Sequence, residues 1–265
     1  EYNRVYQITD INQVIELTGY GSELHRMAVA WDKVNKNNLF KIMAVEQSEG
    51  VAATYTLTCT ATKPEIGTLS LMIAGYPVKV TVTGDDTAET LQTALIEAIN
   101  AATMLPVTAA KAAEEDSTGK ITLTAKHKGE AGNNIDIRLN YYDNEKTPGG
   151  VTVEIASGTK GSGNVSLLDA LAALGDEYAT DIVTSYTDEA NLKIIDEALK
   201  ERFGAMVCNE STLYAGSNGT YAELTTLSAK LNSEHIVLVE NYKAPQMPEV
   251  RAAQVAAICA YEAQQ

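Results

Sequence analysis

The hydrophobic period of this chain changes twice along its length, and a single simple layer cannot satisfy both periods. Between residues 51 and 155 apolar side chains alternate with polar ones. Tyr55, Leu57 and Cys59 alternate with Thr, and Val78, Val80 and Val82 follow the same rule. So do Ile121, Leu123 and Ala125; Ile135, Ile137 and Leu139; and Val151, Val153 and Ile155. Alternation places successive side chains on opposite faces, which predicts half-buried strands. Thr fills many intervening places because a β-branched, wettable side chain suits the solvent face of a sheet. One helix interrupts the block. Asp86 and Glu89 predict a capping box, Leu91, Leu95 and Ile99 mark one face, and the helix ends near Ala102.

Outside this block the period is helical, with short apolar runs between helices. Residues 11–17 predict a short helix ended by Gly19 and Gly21. Ser22 predicts the cap of a second helix over 23–34, with Leu24, Met27, Ala28 and Trp31 at helical spacing. Residues 39–45 read as a buried strand. After Asn164, Leu167, Leu168, Leu171 and Leu174 predict a helix stopped by Gly175. A strand over 181–185 follows. Thr187 predicts the cap of a helix lined by Leu192, Ile195, Leu199 and Phe203, with Asp188 and Glu189 near its positive end. Residues 205–208 read as another buried strand, 221–231 as a helix, 236–239 as a third strand, and the last helix starts near Glu249. Strands separated by helices of this length predict a parallel sheet covered on both faces.

The expected fold class is therefore α/β plus α+β. Residues 1–48 and 159–265 form an α/β domain built from both ends of the chain. Residues 49–158 form an inserted, mainly antiparallel, Thr-rich β domain carrying one helix. The polar stretch 47–50 and the Gly-rich stretch 157–164 read as flexible joints on either side of the insertion.

Composition narrows function by exclusion. Twenty Lys and Arg against 35 Asp and Glu give a net charge of −15. A phosphate backbone or an anionic lipid surface calls for a cationic stripe, and none is visible. Like charge also repels copies of the chain, so self-assembly would need specific contacts. No apolar run within these residues is long enough to span a bilayer, and no signal peptide is expected from their pattern. Cys59, Cys208 and Cys259 are too widely spaced for a zinc motif or a disulfide framework and read as small core residues. The chain opens on Glu1 and stops at Gln265 inside an Ala-rich helical pattern, so both ends read as cuts.

The search for catalytic chemistry yields no site: the expectation is no catalytic, cofactor-binding or metal residues, no cofactor and no enzyme activity. No phosphate-binding loop and no G-x-S-x-G elbow occur. Gly158, Gly161 and Gly163 have the wrong spacing for a dinucleotide loop and read as linker. His25, His127 and His235 each lack a second ligand at metal spacing and read as surface or capping residues. Cys208 with His235 is the one conceivable nucleophile pair, weighed against an inert buried Cys. Asp85 with Asp86, and Glu114, Glu115 and Asp116, lack calcium-loop spacing and read as solvated turns.

One segment carries more. Residues 123–142, LTAKHKGEAGNNIDIRLNYY, resemble the T-A-[RK]-H-K-G-E-x-G-N block of Mu-like phage and prophage contractile tail sheath proteins. GTLSLMIAGYPVKVTV (67–82) and PGGVTVEI (148–155) resemble that family's neighbouring hairpin and strand. LDALAALGDE (168–177) and IVTSYTD (182–188) are similar to its return into the core domain. The resemblance implies a structural subunit that assembles around a tail tube and contracts to drive it through a host envelope. It implies other copies, the tail tube protein and baseplate proteins as partners, with no nucleic acid and no membrane insertion. It implies a virion tail assembled in the host cytoplasm, with interlocking arms that fall outside this sequence. A carbohydrate-binding or adhesin-type module is the alternative for the Thr-rich block, and a divergent α/β hydrolase or nucleotide-binding enzyme is a third.

Overall fold

The structure, a computed structural model, describes residues 1–36, 39–113 and 117–263. It is a mixed α and β chain with antiparallel and parallel sheets and, among the described residues, seven α-helices. It divides into two compact units, Glu1–Ser48 with Asn164–Gln265, and Glu49–Gly163.

The first unit begins with β1 (Val5–Ile8), α1 (Ile11–Thr18), α2 (Glu23–Val34) and β2 (Phe40–Met43). The pairing of β1 with β2 is antiparallel, Val5 opposite Met43. Asp10 caps α1, and the Ser22 hydroxyl accepts the His25 N–H at 3.1 Å to cap α2. Ile8, Val14, Ala28 and Ile42 form a small core between these elements.

The second unit holds the alternating segments. They form β3 (Ala52–Ala61), β4 (Gly67–Ile73), β5 (Tyr76–Val82), β6 (Val107–Lys111), β7 (Lys120–Lys128), β8 (Ile137–Leu139) and β9 (Val151–Ser157), with α3 (Ala88–Ala101) after β5. Two antiparallel sheets result, ordered β6-β7-β3-β9 and β5-β4-β8. In β7 the residues Ile121, Leu123 and Ala125 are buried, and in β5 Val78, Val80 and Val82, as period two requires. Leu91, Leu95 and Ile99 bury the inner face of α3, which packs against strands of both sheets. The cap of α3 is Thr87 with Thr90, not Asp86 with Glu89. Asp86 instead accepts from Thr83 N at 2.7 Å and Thr90 Oγ1 at 2.9 Å, which orders the turn before the helix. Only residues 137–139 of the predicted 135–139 run pair as a strand. A 3-10 turn over Glu130–Asn134 precedes them.

The chain then returns to the first unit with α4 (Leu168–Leu174), β10 (Asp181–Thr184), α5 (Glu189–Phe203), β11 (Thr212–Ser217), α6 (Tyr221–Leu231), β12 (Ile236–Glu240) and α7 (Pro248–Glu262). The three strands are parallel, ordered β10-β11-β12. Leu213 and Ala215 of β11 bury one face against Leu192, Ile195, Leu199 and Leu231. Tyr214 and Val239 bury the other face against Ala252 and Ala256 of α7, so helices cover both sides. Asp188 caps α5, not Thr187, because its carboxylate accepts the Asn191 N–H at 3.0 Å. The middle strand is Thr212–Ser217 and not 205–208. Residues 205–208 form an exposed turn, with Met206 98% exposed.

A buried ion pair joins the two segments of this unit. Arg26 of α2 donates to Glu249 of α7 at 3.3 Å and to Gly21 O at 2.7 Å, with side chains 1% and 3% exposed. Burial pushes the Glu249 carboxyl up, against the pull of Arg26 beside it. Both groups leave water, so each relies on the other, and the Glu249 carboxylate also on the α7 N-terminus. Arg26→Met strands Glu249 and is expected to destabilise the chain by about 3–5 kcal/mol in urea unfolding, whereas Arg26→Met with Glu249→Leu recovers most of that loss.

Candidate functional site

The sequence-selected candidates fall at separate places, each engaged locally. His25 is buried in α2, where Nδ1 accepts the Gly21 N–H at 3.1 Å, so it is a structural acceptor and not a surface residue. Burial, and then Arg26 beside it, hold the imidazole below its ordinary value of 6.5. His127 lies in β7. His235 is buried just before β12, its ring 5.3 Å from that of Phe203. Cys59 is a buried core residue whose thiol donates to Gly119 O at 3.1 Å and is pushed up by burial. Cys208 and Cys259 are exposed, contrary to their apolar sequence surroundings. The Cys208 thiol donates to Ala205 O at 3.1 Å, which gives it a backbone partner rather than a base. Asp86 is held below its usual value by the Thr83 and Thr90 donors. Glu114, Glu115 and Asp116 lie outside the described residues.

Among the described residues no three His, Cys, Asp or Glu side chains gather at metal-binding distance. A depression of about 310 Å³ is lined by Ala222, Glu223, Thr226, Leu227 and Lys230, all from α6. A single helix surface does not converge polar groups on a reacting atom in the way catalysis requires.

What the structure does organise is the segment 129–134 and the stretch it holds. Gly132 is buried: a Cβ there would stand 3.0 Å from those of Ala125 and Ala53. Its carbonyl accepts the Tyr55 hydroxyl at 2.8 Å. Next to it, the Asn133 side chain grips Gly161 twice. It donates to Gly161 O at 2.8 Å and accepts from Gly161 N at 2.7 Å. Gly161 also passes so near Gly129 that a Cβ would lie 2.2 Å from Gly129 O. Ser162 completes the clamp by exchanging two backbone hydrogen bonds with Val51, at 3.0 and 3.1 Å. Gly158 and Thr159 are tied to Thr54. The stretch 157–163 is therefore pinned to the second unit, and Gly158 and Gly161 are there for close approach rather than looseness, while Gly163 takes a positive φ of 80°. The second compact unit accordingly runs to Gly163. The H-K-G-E-A-G-N-N block thus acts as a fastening device, in which the identities of Gly132 and Asn133 follow from contact geometry.

Two outcomes follow. Asn133→Ala removes both grips on Gly161 and is expected to lower stability by about 1–3 kcal/mol and to open residues 158–163 to limited proteolysis. For His25 the folded-state value is depressed, so its contribution is present above the unfolded value and lost as pH falls through the folded one. Between about pH 7 and about pH 5 the urea midpoint of the wild type should fall more than that of His25→Gln.

No protein-family model matches the chain. Among solved structures, a flagellar cap protein of Bdellovibrio bacteriovorus is 12% identical, with 46% of this chain and 76% of that one covered and a TM-score of 0.24. The D2-D3 domains of a flagellar cap protein from Serratia marcescens are 18% identical, covering 45% and 78% of the two chains, also at 0.24. Scores of this size do not establish a common fold. In sequence, a Mu-like prophage FluMu tail sheath protein of Haemophilus influenzae is 34% identical over 249 residues, which is 94% of this chain and 50% of the relative. The chain spans about half the length of the curated relative it matches. Over 249 residues the chain is thus similar in sequence to a Mu-like prophage tail sheath protein, along a stretch equal to half of that protein.

Proposed function

We propose that this chain is part of a structural subunit of a contractile phage or prophage-derived tail sheath. The subunit assembles with other copies around a tail tube, docks on a baseplate, and contracts to drive the tube through the host envelope. The sequence relationship to a tail sheath protein over 94% of the chain carries this reading. The physical features accord with it. Contraction is a rearrangement of packed bodies, with no bond made or broken in the subunit. Such a task needs rigid units with defined crossings, and here the chain passes between its two units at 48/49 and 163/164. In this proposal the Glu49–Gly163 unit decorates the outside of the sheath, the particle is assembled in the host cytoplasm, and the subunit catalyses no reaction. No described helix is long and apolar enough to cross a membrane.

A carbohydrate-binding role for the second unit has one observation in its favour. Tyr141 and Tyr142 are exposed and pack edge to face at 5.1 Å, with the Arg138 guanidinium 5.9 Å from the Tyr141 ring. Aromatic faces beside polar planar groups suit sugar rings.

Negative-stain microscopy of the complete protein containing this chain separates the two. Tubes of regular diameter are expected. A complete protein that stays monomeric in all conditions, while binding glycans saturably in a manner lost on Tyr142→Ala, would replace the sheath role with the second one.

A further inference from the structure

A cluster of large apolar side chains stands in solvent at the amino ends of the parallel strands. Phe203 is 50% exposed, Met206 98%, Val207 45% and Tyr178 67%. Tyr178 lies on the loop 175–180 leading into β10, Met206 and Val207 on the loop 204–211 leading into β11, and Phe203 ends α5 just before it. Because the strands are parallel, these loops lie at the same edge. They are also tied together. Buried Arg202 donates to the carbonyls of Gly175 and Glu177. Buried Asn209 donates to Glu177 O at 3.1 Å, and its own N–H reaches Arg202 O at 2.9 Å. The buried Ser211 hydroxyl donates to Ala179 O. The apolar residues are thus held on an ordered frame, with their ordering entropy already spent in folding.

The rim is mainly acidic. Asp176, Glu177, Glu201 and Glu210 are all exposed on or next to these loops. The basic residues beside the two loops are engaged: Arg202 of α5 is buried and occupied by carbonyls, the exposed Lys200 pairs with Asp196, and Lys41 reaches Glu177 from β2. An apolar centre with a charged rim is the layout of a protein contact, where central residues supply affinity and the rim selects the partner. Acidic rims repel nucleic acid, anionic lipid and a second copy of the same patch.

We propose that this edge of the first unit is a docking surface for a protein segment that presents apolar side chains bordered by Lys or Arg. It does not depend on the sheath role. The occupant must place basic groups near the Glu201 and Glu210 carboxylates while covering Met206 and Phe203.

An amphipathic Leu/Lys helical peptide is the probe, titrated against the intact chain at several salt concentrations. Binding is expected, weakening about tenfold or more in the double variant Phe203→Ser, Met206→Ser. Glu201→Gln with Glu210→Gln should flatten the salt dependence. Ile66→Ser, which alters an 83% exposed residue of the other unit, should change nothing. Thermal melting by circular dichroism confirms that each variant folds. Equal binding by wild type and the Phe203/Met206 variant would reduce the attraction to net charge and overturn the proposal. So would the absence of binding, or a self-association abolished by Met206→Ser, which would make the occupant a second copy.

Discussion

The first unit exists only because two segments distant in sequence find each other. Arg26 and Glu249 are separated by 223 positions, yet their side chains meet at 3.3 Å inside the protein. Neither segment can bury its own charged group alone. Isolated α2 would leave a guanidinium facing an apolar helix stripe, and isolated α7 would leave a carboxylate in its first turn among Ala252, Ala253 and Ala256. A buried pair of this type adds little net stability compared with an apolar pair, but it penalises every arrangement that separates its members. It thereby selects one docking of α7 on α2. The adjoining Asn35 side chain reinforces that choice by donating to Ala257 O at 3.3 Å. The intervening Glu49–Gly163 unit could be large because the closure is specified elsewhere.

The second unit solves a different problem. Its strands carry Thr on the solvent side and one apolar row inside, so register is set by alternation. What alternation does not set is where the chain leaves. That falls to the Asn133 grip on Gly161 and to the Val51–Ser162 exchange. Glycine-rich sequence is commonly read as slack, yet here the missing side chains let backbone approach backbone. At Gly161 a methyl group would stand 2.2 Å from a carbonyl oxygen, which no sheet can accommodate unchanged.

Much of this was legible from residues alone. The helices with a polar cap and an apolar stripe, such as α2 with Ser22 and α6 over Tyr221–Leu231, have the expected bounds because cap and period agree there. The Thr-rich strands were equally plain. Errors fall where local chemistry offers near-equivalent choices. Asp86 and Thr87 are both good caps, as are Thr187 and Asp188, and backbone placement at the helix start decides between them. The run Ala205–Cys208 is more apolar than Thr212–Ser217, so hydrophobicity alone favours it as the strand. The shorter connection from Phe203 would leave it no room to reach the sheet, and the backbone turns at Cys208 with φ near +51°. The pair of hydrogen bonds between Asn133 and Gly161 joins residues far apart in sequence and leaves no periodic trace.

Charge and exposed apolar surface together frame what the molecule does. A chain with a net charge of −15 resists its own association through long-range repulsion, which at physiological salt fades within about 8 Å. Short-range contacts can overcome such repulsion only where apolar groups are already fixed in place, since ordering a loose loop consumes the gain. The frame around Met206 satisfies that condition, because Arg202, Asn209 and Ser211 are buried while the side chains they support are not. Selectivity then arises from the same balance: repulsion keeps unmatched surfaces apart, and a matched cationic, apolar surface gains from both terms at once. A reaction centre would need converging polar groups and exclusion of water. Among the described residues, the buried Arg202, Asn209 and Ser211 commit their side chains to fastening backbone.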